Sequence, residues 1–112
     1  MGDGMLTHEF GIMREHPRQI SYDDYTPEKY GCISVHDDFI LPICPKLKEL
    51  RCYWHSLDRP ALGLAYYGIT LIPPESLEGF MDILWGEPKL SELTALLAEA
   101  QRENKFVIHF GI

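Results

Sequence analysis

The chain has 112 residues, of which 46% are hydrophobic and 24% are charged. That length predicts a single domain over residues 1–112, and that composition excludes wholesale disorder. The 17 acidic and 10 basic residues give a net charge of −7, which disfavours nucleic acid and anionic membranes as partners. The same charge suits a basic protein partner, although acidity also serves solubility alone.

Three cysteines, an odd number, argue against a disulfide framework and favour a reducing compartment. The first residues lack the basic region and the apolar run of a signal peptide. No apolar stretch is long enough to span a bilayer. We therefore expect a soluble, cytoplasmic protein without membrane association, in which residues 1–4 are a disordered extension of the domain.

Residues 5–13 alternate between apolar and polar side chains and predict a first strand, although His8 falls on the apolar side. Residues 14–30 are the most polar stretch, and their prolines and aspartates predict a long loop with one helical turn. Loops of this length in a compact domain are often functional, so this loop is a candidate binding segment. The alternative is a plain surface connection, anchored to the core by Tyr22, Tyr25 and Tyr30.

Residues 31–44 predict a hairpin. Residues 32–35 would form its first strand, His36-Asp37-Asp38 its turn, and residues 39–41 its second strand. Residues 50–56 are ambiguous, because their leucine and tryptophan spacing fits a helix while their aromatic composition fits a strand. We assign residues 50–56 to a strand.

Residues 61–72 are apolar, aromatic and β-branched, which predicts one strand buried on both faces. Pro73-Pro74 ends this strand, and Pro74 presets the backbone of a first helical turn. A helix is then predicted over about residues 74–85, because five apolar side chains follow at helical spacing. They are Leu77, Phe80, Met81, Leu84 and Trp85.

A second helix is predicted over about residues 89–103 from its leucine spacing and its Ala- and Glu-rich composition, with Asn104 as a left-handed cap. Residues 105–111 predict a closing strand. The order indicates an α+β fold with a mixed or mainly antiparallel sheet of about five or six strands and both helices on one face. If the helix pair is a crossover, residues 61–72 run parallel to the closing strand.

The sequence contains no nucleophile elbow, no phosphate-binding glycine loop and no closely spaced cysteine pair, so we expect no cofactor. One alternative is a small enzyme or metal-binding domain built on the turn at His36-Asp37-Asp38. A histidine beside two carboxylates supplies the groups needed for a divalent ion or for general-base chemistry. Turn chemistry explains the same aspartates without a site. The candidate metal ligands are His36, Asp38, Cys44, Cys52 and His55.

The leading hypothesis is a small acidic protein-interaction module without catalytic activity, of inhibitor or immunity type or a subunit of an assembly. Tyrosine and tryptophan dominate binding hot spots, although a small core also uses them to bury area. The predicted binding residues are carboxylates of the loop and turn together with aromatic side chains: Asp23, Asp24, Asp37, Asp38, Tyr53, Trp54 and Tyr67. A homodimer formed through a free sheet edge is a further alternative that nothing in the sequence specifies.

Overall fold

A computed structural model describes residues 6–112, so the extension predicted at residues 1–4 lies outside the described residues. Within residues 6–112 the strands are β1 (Thr7–Met13), β2 (Ile33–His36), β3 (Arg51–Trp54), β4 (Pro60–Leu62), β5 (Ile69–Ile72) and β6 (Phe106–Phe110). They form one sheet in the order β2-β1-β6-β5-β3-β4. Every neighbouring pair is antiparallel, which confirms the predicted α+β fold with a mainly antiparallel sheet.

The helices within residues 6–112 are α1 (Asp37–Ile40), α2 (Cys44–Leu47), α3 (Leu77–Leu84) and α4 (Ser91–Arg102). Helices α3 and α4 confirm the two predicted helices, and each follows a 3-10 turn that begins at Pro74 or Pro88. Asn104 has φ 57° after α4, as predicted for a left-handed cap. No helix in this part of the chain has the length and hydropathy needed to cross a membrane.

Two apolar clusters lie on opposite faces of the sheet, because successive side chains of a strand point to opposite sides. Helices α3 and α4 cover one face, where the cluster includes Phe10, Ile12, Ile72, Phe80, Leu97 and Val107. The other face carries Met13, Ile69, Leu71, Ile108 and Phe110. Strand β5 contributes to both clusters and is buried throughout, as predicted.

The polar segment over residues 14–30 crosses the sheet face opposite to the helices. It contains the predicted helical turn, a 3-10 turn over Pro27–Tyr30. Tyr22 is buried and Tyr30 packs against the same cluster, so both anchor the segment. The Tyr25 ring packs edge-on against Phe110 of the same cluster, but 65% of Tyr25 is exposed.

The hairpin predicted over residues 31–44 is wrong in its second half. Strand β2 forms, but residues 37–40 form α1, and the chain continues through a 3-10 turn into α2. The Nδ1 atom of His36 accepts a hydrogen bond from the backbone N–H of Asp38 at 3.0 Å and so caps α1. Pro42 and Pro45 then occupy the second positions of their helical turns, where no intrahelical N–H bond is lost. These local signals favour helix where apolar composition alone suggested a strand.

The single strand predicted over residues 61–72 is wrong, because β4 and β5 are separate strands that pair with opposite edges of β3. Gly63, with φ 82°, turns the chain out of β4 in a conformation that glycine adopts without strain. Strand β3 itself confirms the assignment of residues 50–56 as a strand. The segment between β4 and β5, residues 63–68, forms a turn over the sheet.

Strands β5 and β6 are antiparallel, so the parallel crossover considered from the sequence is wrong. Ile72 at the end of β5 lies opposite Val107 near the beginning of β6. After β5, helices α3 and α4 carry the chain away from the sheet and back to the same end, where β6 begins. A single crossover helix would instead carry the chain to the opposite end of the sheet, where a parallel strand would begin.

Candidate functional site

Polar side chains interrupt the apolar, helix-covered face at the centre of the sheet. The register places both Phe10 of β1 and Thr70 of β5 opposite His109 of β6. His8 precedes Phe10 by two residues and shares its face of the strand. His8, Thr70 and His109 are all fully buried. The histidine that breaks the alternation of the first strand therefore faces a second histidine.

These side chains form a continuous series of hydrogen bonds. Thr70 Oγ1 lies 3.0 Å from His109 Nδ1, His109 Nε2 lies 2.9 Å from His8 Nδ1, and His8 Nε2 lies 2.8 Å from Asp37 Oδ1. The Tyr66 hydroxyl donates to the Asp37 carboxylate at 2.7 Å. We call these five residues the buried polar chain. Within residues 6–112 no buried side-chain nitrogen or oxygen lacks a partner.

One assignment of protons satisfies every link of the buried polar chain. Thr70 Oγ1 accepts the backbone N–H of Ala65 at 2.8 Å, which leaves its own hydrogen for His109 Nδ1. His109 then donates from Nε2 to His8 Nδ1, and His8 donates from Nε2 to Asp37. Each imidazole donates once and accepts once, as a neutral ring does.

Burial and hydrogen bonding shift the pKa values of three members of the buried polar chain. Burial lowers the pKa of His109 well below its ordinary value. Burial opposes ionisation of Asp37, but hydrogen bonds from His8 and Tyr66 outweigh it and lower the pKa of this carboxyl. The pKa of Tyr66 is raised to about 12, mainly by the hydrogen bond to Asp37 and secondly by burial. The Asp37 carboxylate stays ionised between two hydrogen-bond donors, so its role is better explained as structural than as proton exchange with solvent.

The buried polar chain fastens the turn at residues 65–68 to the sheet. In the same turn Gly68 accepts a hydrogen bond from the Gly111 N–H at 2.7 Å, and Tyr66 accepts one from the Ile112 N–H at 3.0 Å. A Cβ atom at Gly111 would overlap the Tyr66 carbonyl group, so this close approach requires glycine. The turn is therefore held from both its backbone and the Tyr66 side chain.

Tyr67, in this turn, is 80% exposed and lines two depressions of the surface. Its ring packs edge-on against the Tyr66 ring, with centroids 4.9 Å apart. The apolar groove, of about 530 Å³, is lined by residues that include Leu41, Cys44, Lys48, Trp54, Leu62 and Tyr67. The aromatic hollow, of about 380 Å³, is lined by residues that include Thr7, Asp23, Tyr25, His55, Tyr67 and Phe110.

The structure brings some of the predicted binding residues together and separates others. Asp23 and Tyr67 meet in the aromatic hollow, and Trp54 and Tyr67 meet in the apolar groove. Tyr53 points to the other face of β3 and packs near Phe106. The side chain of Asp38 is 82% exposed.

Asp24 is also exposed, whereas Asp37 is largely buried in the polar chain. Sequence reasoning missed Tyr25 as a lining residue of the aromatic hollow, since it considered this residue only as an anchor to the core. It also missed the pairing of His8 with His109. The misplaced polarity of His8 was the available signal, but only strand register shows what it faces.

The five residues considered as metal ligands do not converge. Cys52 is buried in the core, which raises the pKa of its thiol to about 12, while Cys44 lines the apolar groove. His36 caps the helix beside Asp38, and His55 Nδ1 lies 2.8 Å from a backbone carbonyl. Among residues 6–112, no three His, Cys, Asp or Glu side chains are placed to hold a metal ion. The geometry gives the metal hypothesis no support.

No protein-family model, no curated protein and no solved structure matches this chain. The features of the structure that bear on its function are the buried polar chain and the two depressions beside Tyr67.

The free energy of unfolding is expected to fall on acidification from about pH 7 to about pH 5. Folded His109 stays neutral, whereas unfolded His109 takes up a proton near its ordinary pKa of 6.5. The unfolded state then binds more protons, so stability decreases as the pH falls, by up to about 1.4 kcal/mol per pH unit. Asp37 acts in the same direction only below its ordinary pKa of 3.8.

Urea unfolding across that pH range tests this expectation in the wild type and in His109→Gln. The variant should have a shallower dependence of stability on pH, because its residue 109 cannot bind a proton in either state. Equal slopes for the two proteins would show that His109 is not the group responsible.

Proposed function

We propose that this protein is an interaction module that binds a basic protein partner through the surface around Tyr67. The observation that carries the proposal is the aromatic hollow, where folding brings Tyr67 to the same depression as Asp23 and Tyr25 of the polar segment. The net charge of −7 favours encounter with a basic partner and disfavours association of two copies. An inhibitor, an immunity-type protein or an assembly subunit would each use such a surface.

The exposed aromatic rings supply area that a partner can bury. Tyr67 and Tyr25 are 80% and 65% exposed, and Trp54 lines the adjoining groove. Single exposed apolar residues are common on protein surfaces, but these rings are grouped around two depressions that both have Tyr67 as a lining residue. Tyrosine and tryptophan in such clusters contribute most of the binding energy in many interfaces.

Both exposed tyrosines are held in place before any partner arrives. The Tyr25 ring packs edge-on against buried Phe110, with centroids 5.6 Å apart. Tyr67 packs against Tyr66, whose hydroxyl is bonded to Asp37. A preorganised surface loses less conformational freedom on binding, so more of the contact energy becomes affinity. The buried polar chain thus serves the proposed function by positioning Tyr67.

The state of the cysteines supports binding over nucleophilic catalysis. Burial raises the pKa of Cys32 and of Cys52 to about 12. Burial, and then the negative charge of Asp37, also raises the pKa of Cys44. At neutral pH these residues are thiols, whereas a cysteine nucleophile reacts as the thiolate.

The test begins with immobilised protein and a lysate from its own source. We expect it to retain a basic protein at equal stoichiometry, and the purified pair should then bind more weakly in high salt. Tyr67→Ala should weaken the affinity by about 30-fold, the effect of losing a hot-spot side chain worth about 2 kcal/mol.

Trp85→Ala is the matched control, since Trp85 is an 87% exposed aromatic residue that lines neither depression. Its affinity should equal that of the wild type. Retention of no basic protein, or equal affinity for wild type and Tyr67→Ala, contradicts the proposal.

A further inference from the structure

We infer that the aromatic hollow binds the guanidinium group of an arginine side chain. The inference rests on the proposed function, because the arginine belongs to the basic partner. It adds the chemical group that the surface recognises and the residues that recognise it.

Two tyrosine rings and a carboxylate line the hollow together. Tyr25, Tyr67 and Asp23 all contribute to it, and the side chain of Asp23 is 67% exposed. The faces of aromatic rings attract cations, and a neighbouring carboxylate adds a charge of the required sign. Buried Phe110 packs edge-on against the Tyr25 ring and supports this wall of the hollow.

Further negative charge lies beside the hollow. Thr7 lines it and donates its hydroxyl hydrogen to Glu9 Oε2 at 3.0 Å, while Ser34 donates to Glu9 Oε1 at 2.6 Å. Glu9 is only 8% exposed, and within residues 6–112 it forms no ion pair with a basic side chain. Burial raises the pKa of Tyr25, and the charges of Glu9 and Glu28 raise it further. Asp23 in the hollow and Glu9 beside it therefore place negative charge at this site.

His55 is the basic side chain among the residues that line the hollow, and its hydrogen is already committed. Its Nδ1 atom lies 2.8 Å from the Tyr22 carbonyl oxygen but 3.3 Å from Asp23 Oδ1. The shorter and better hydrogen bond takes the ring N–H. The oxygens of Asp23 consequently remain available to a ligand from outside.

The combination of ring and carboxylate favours guanidinium over ammonium. A guanidinium group is planar, so it can stack on a tyrosine face while its N–H groups donate to a carboxylate. A lysine ammonium group is compact and strongly hydrated, and it gains less from an aromatic plane. We therefore expect arginine to bind more tightly than lysine.

The experiment is an NMR titration of the full chain with N-acetyl-arginine N-methylamide at constant ionic strength. The signals of Tyr25, Tyr67 and Phe110 should shift and reach saturation, with a dissociation constant on the order of millimolar. The neutral isostere, N-acetyl-citrulline N-methylamide, should produce no saturable shift. The lysine analogue should bind at least about fivefold more weakly.

Variants assign the interaction to the hollow. Asp23→Asn should weaken arginine binding by about fivefold, and Tyr67→Ala should abolish saturation. Asp38→Asn is the matched control, because it removes an exposed carboxylate that does not line the hollow and should change nothing. Both altered positions of the hollow are largely exposed, and unchanged backbone spectra elsewhere confirm that the variants are folded.

The inference is overturned if arginine gives no saturable shift, if citrulline binds equally, or if lysine binds as well as arginine. These outcomes differ from failure of the proposed function. A basic partner that loses affinity with Tyr67→Ala but not with Asp23→Asn would preserve the function and refute the arginine site.

Discussion

Asp37→Ala is expected to destabilise the protein by about 3 kcal/mol. The substitution removes the acceptor for His8 Nε2, and His8 is fully buried, so its N–H loses its partner in the protein interior. A buried donor left without a partner loses its hydration and gains nothing in return. The change in the free energy of unfolding is measured by urea denaturation, with circular dichroism as the signal.

The neighbouring carboxylate provides the control for this prediction. The side chain of Asp38 is 82% exposed, whereas that of Asp37 is 11% exposed. Asp38→Ala should therefore change stability by no more than about 0.5 kcal/mol, from its charge at the start of α1. Similar losses in the two variants would show that the buried polar chain does not stabilise the fold.

Asp37→Ala should also weaken partner binding beyond any effect of unfolded protein. The Tyr66 hydroxyl loses its acceptor, and Tyr67 loses the fixed ring against which it packs. Increased mobility of residues 65–68 in NMR relaxation would accompany the loss. Unchanged mobility would mean that the backbone hydrogen bonds from Gly111 and Ile112 hold the turn by themselves.

Phe80→Ala is expected to cost about 4 kcal/mol of stability. Phe80 is fully buried on α3, and its ring meets Phe10 of β1 edge-on with centroids 6.0 Å apart. Removing the ring leaves a cavity between the helix layer and the sheet, which the surrounding close-packed side chains can fill only in part. Thermal and urea unfolding should both report the loss.

Trp85→Ala is the control for Phe80→Ala. Trp85 follows directly after the same helix but is 87% exposed, so its removal should change stability by no more than about 0.5 kcal/mol. Equal destabilisation by the two substitutions would contradict the burial that the structure gives to each ring.

Local signals in the sequence were sufficient for α3 and α4. Their apolar spacing, the entry at Pro74 and Pro88, and the cap at Asn104 all lie within or beside the helices they define. The helix at residues 37–40 was missed because a segment of only four apolar or acidic residues is compatible with a helix as well as with a turn and strand. Its cap is also a histidine, which is not among the usual capping residues.

The site was predictable only in part, because convergence depends on strand pairing. The sequence identified Asp23, Trp54 and Tyr67 as candidate binding residues, but not that Tyr67 adjoins both of the others. Adjacent aromatic residues of a strand face opposite ways, and the pattern alone did not show which of Tyr53 and Trp54 faces the groove. That His8 meets His109 follows from the pairing of β1 with β6, for which the sequence carried no local signal.

That pairing also governs how the molecule assembles in time. Strand β6 lies between β1 and β5, so residues 7–13 lack their central neighbour until residues 106–110 have left the ribosome. Contacts between such distant segments carry a large loop-closure entropy and slow the folding reaction. In the interval the first strand presents an unpaired edge and exposed apolar side chains, the features through which nascent chains aggregate. The growing chain is therefore most vulnerable to misassociation just before its sheet can close.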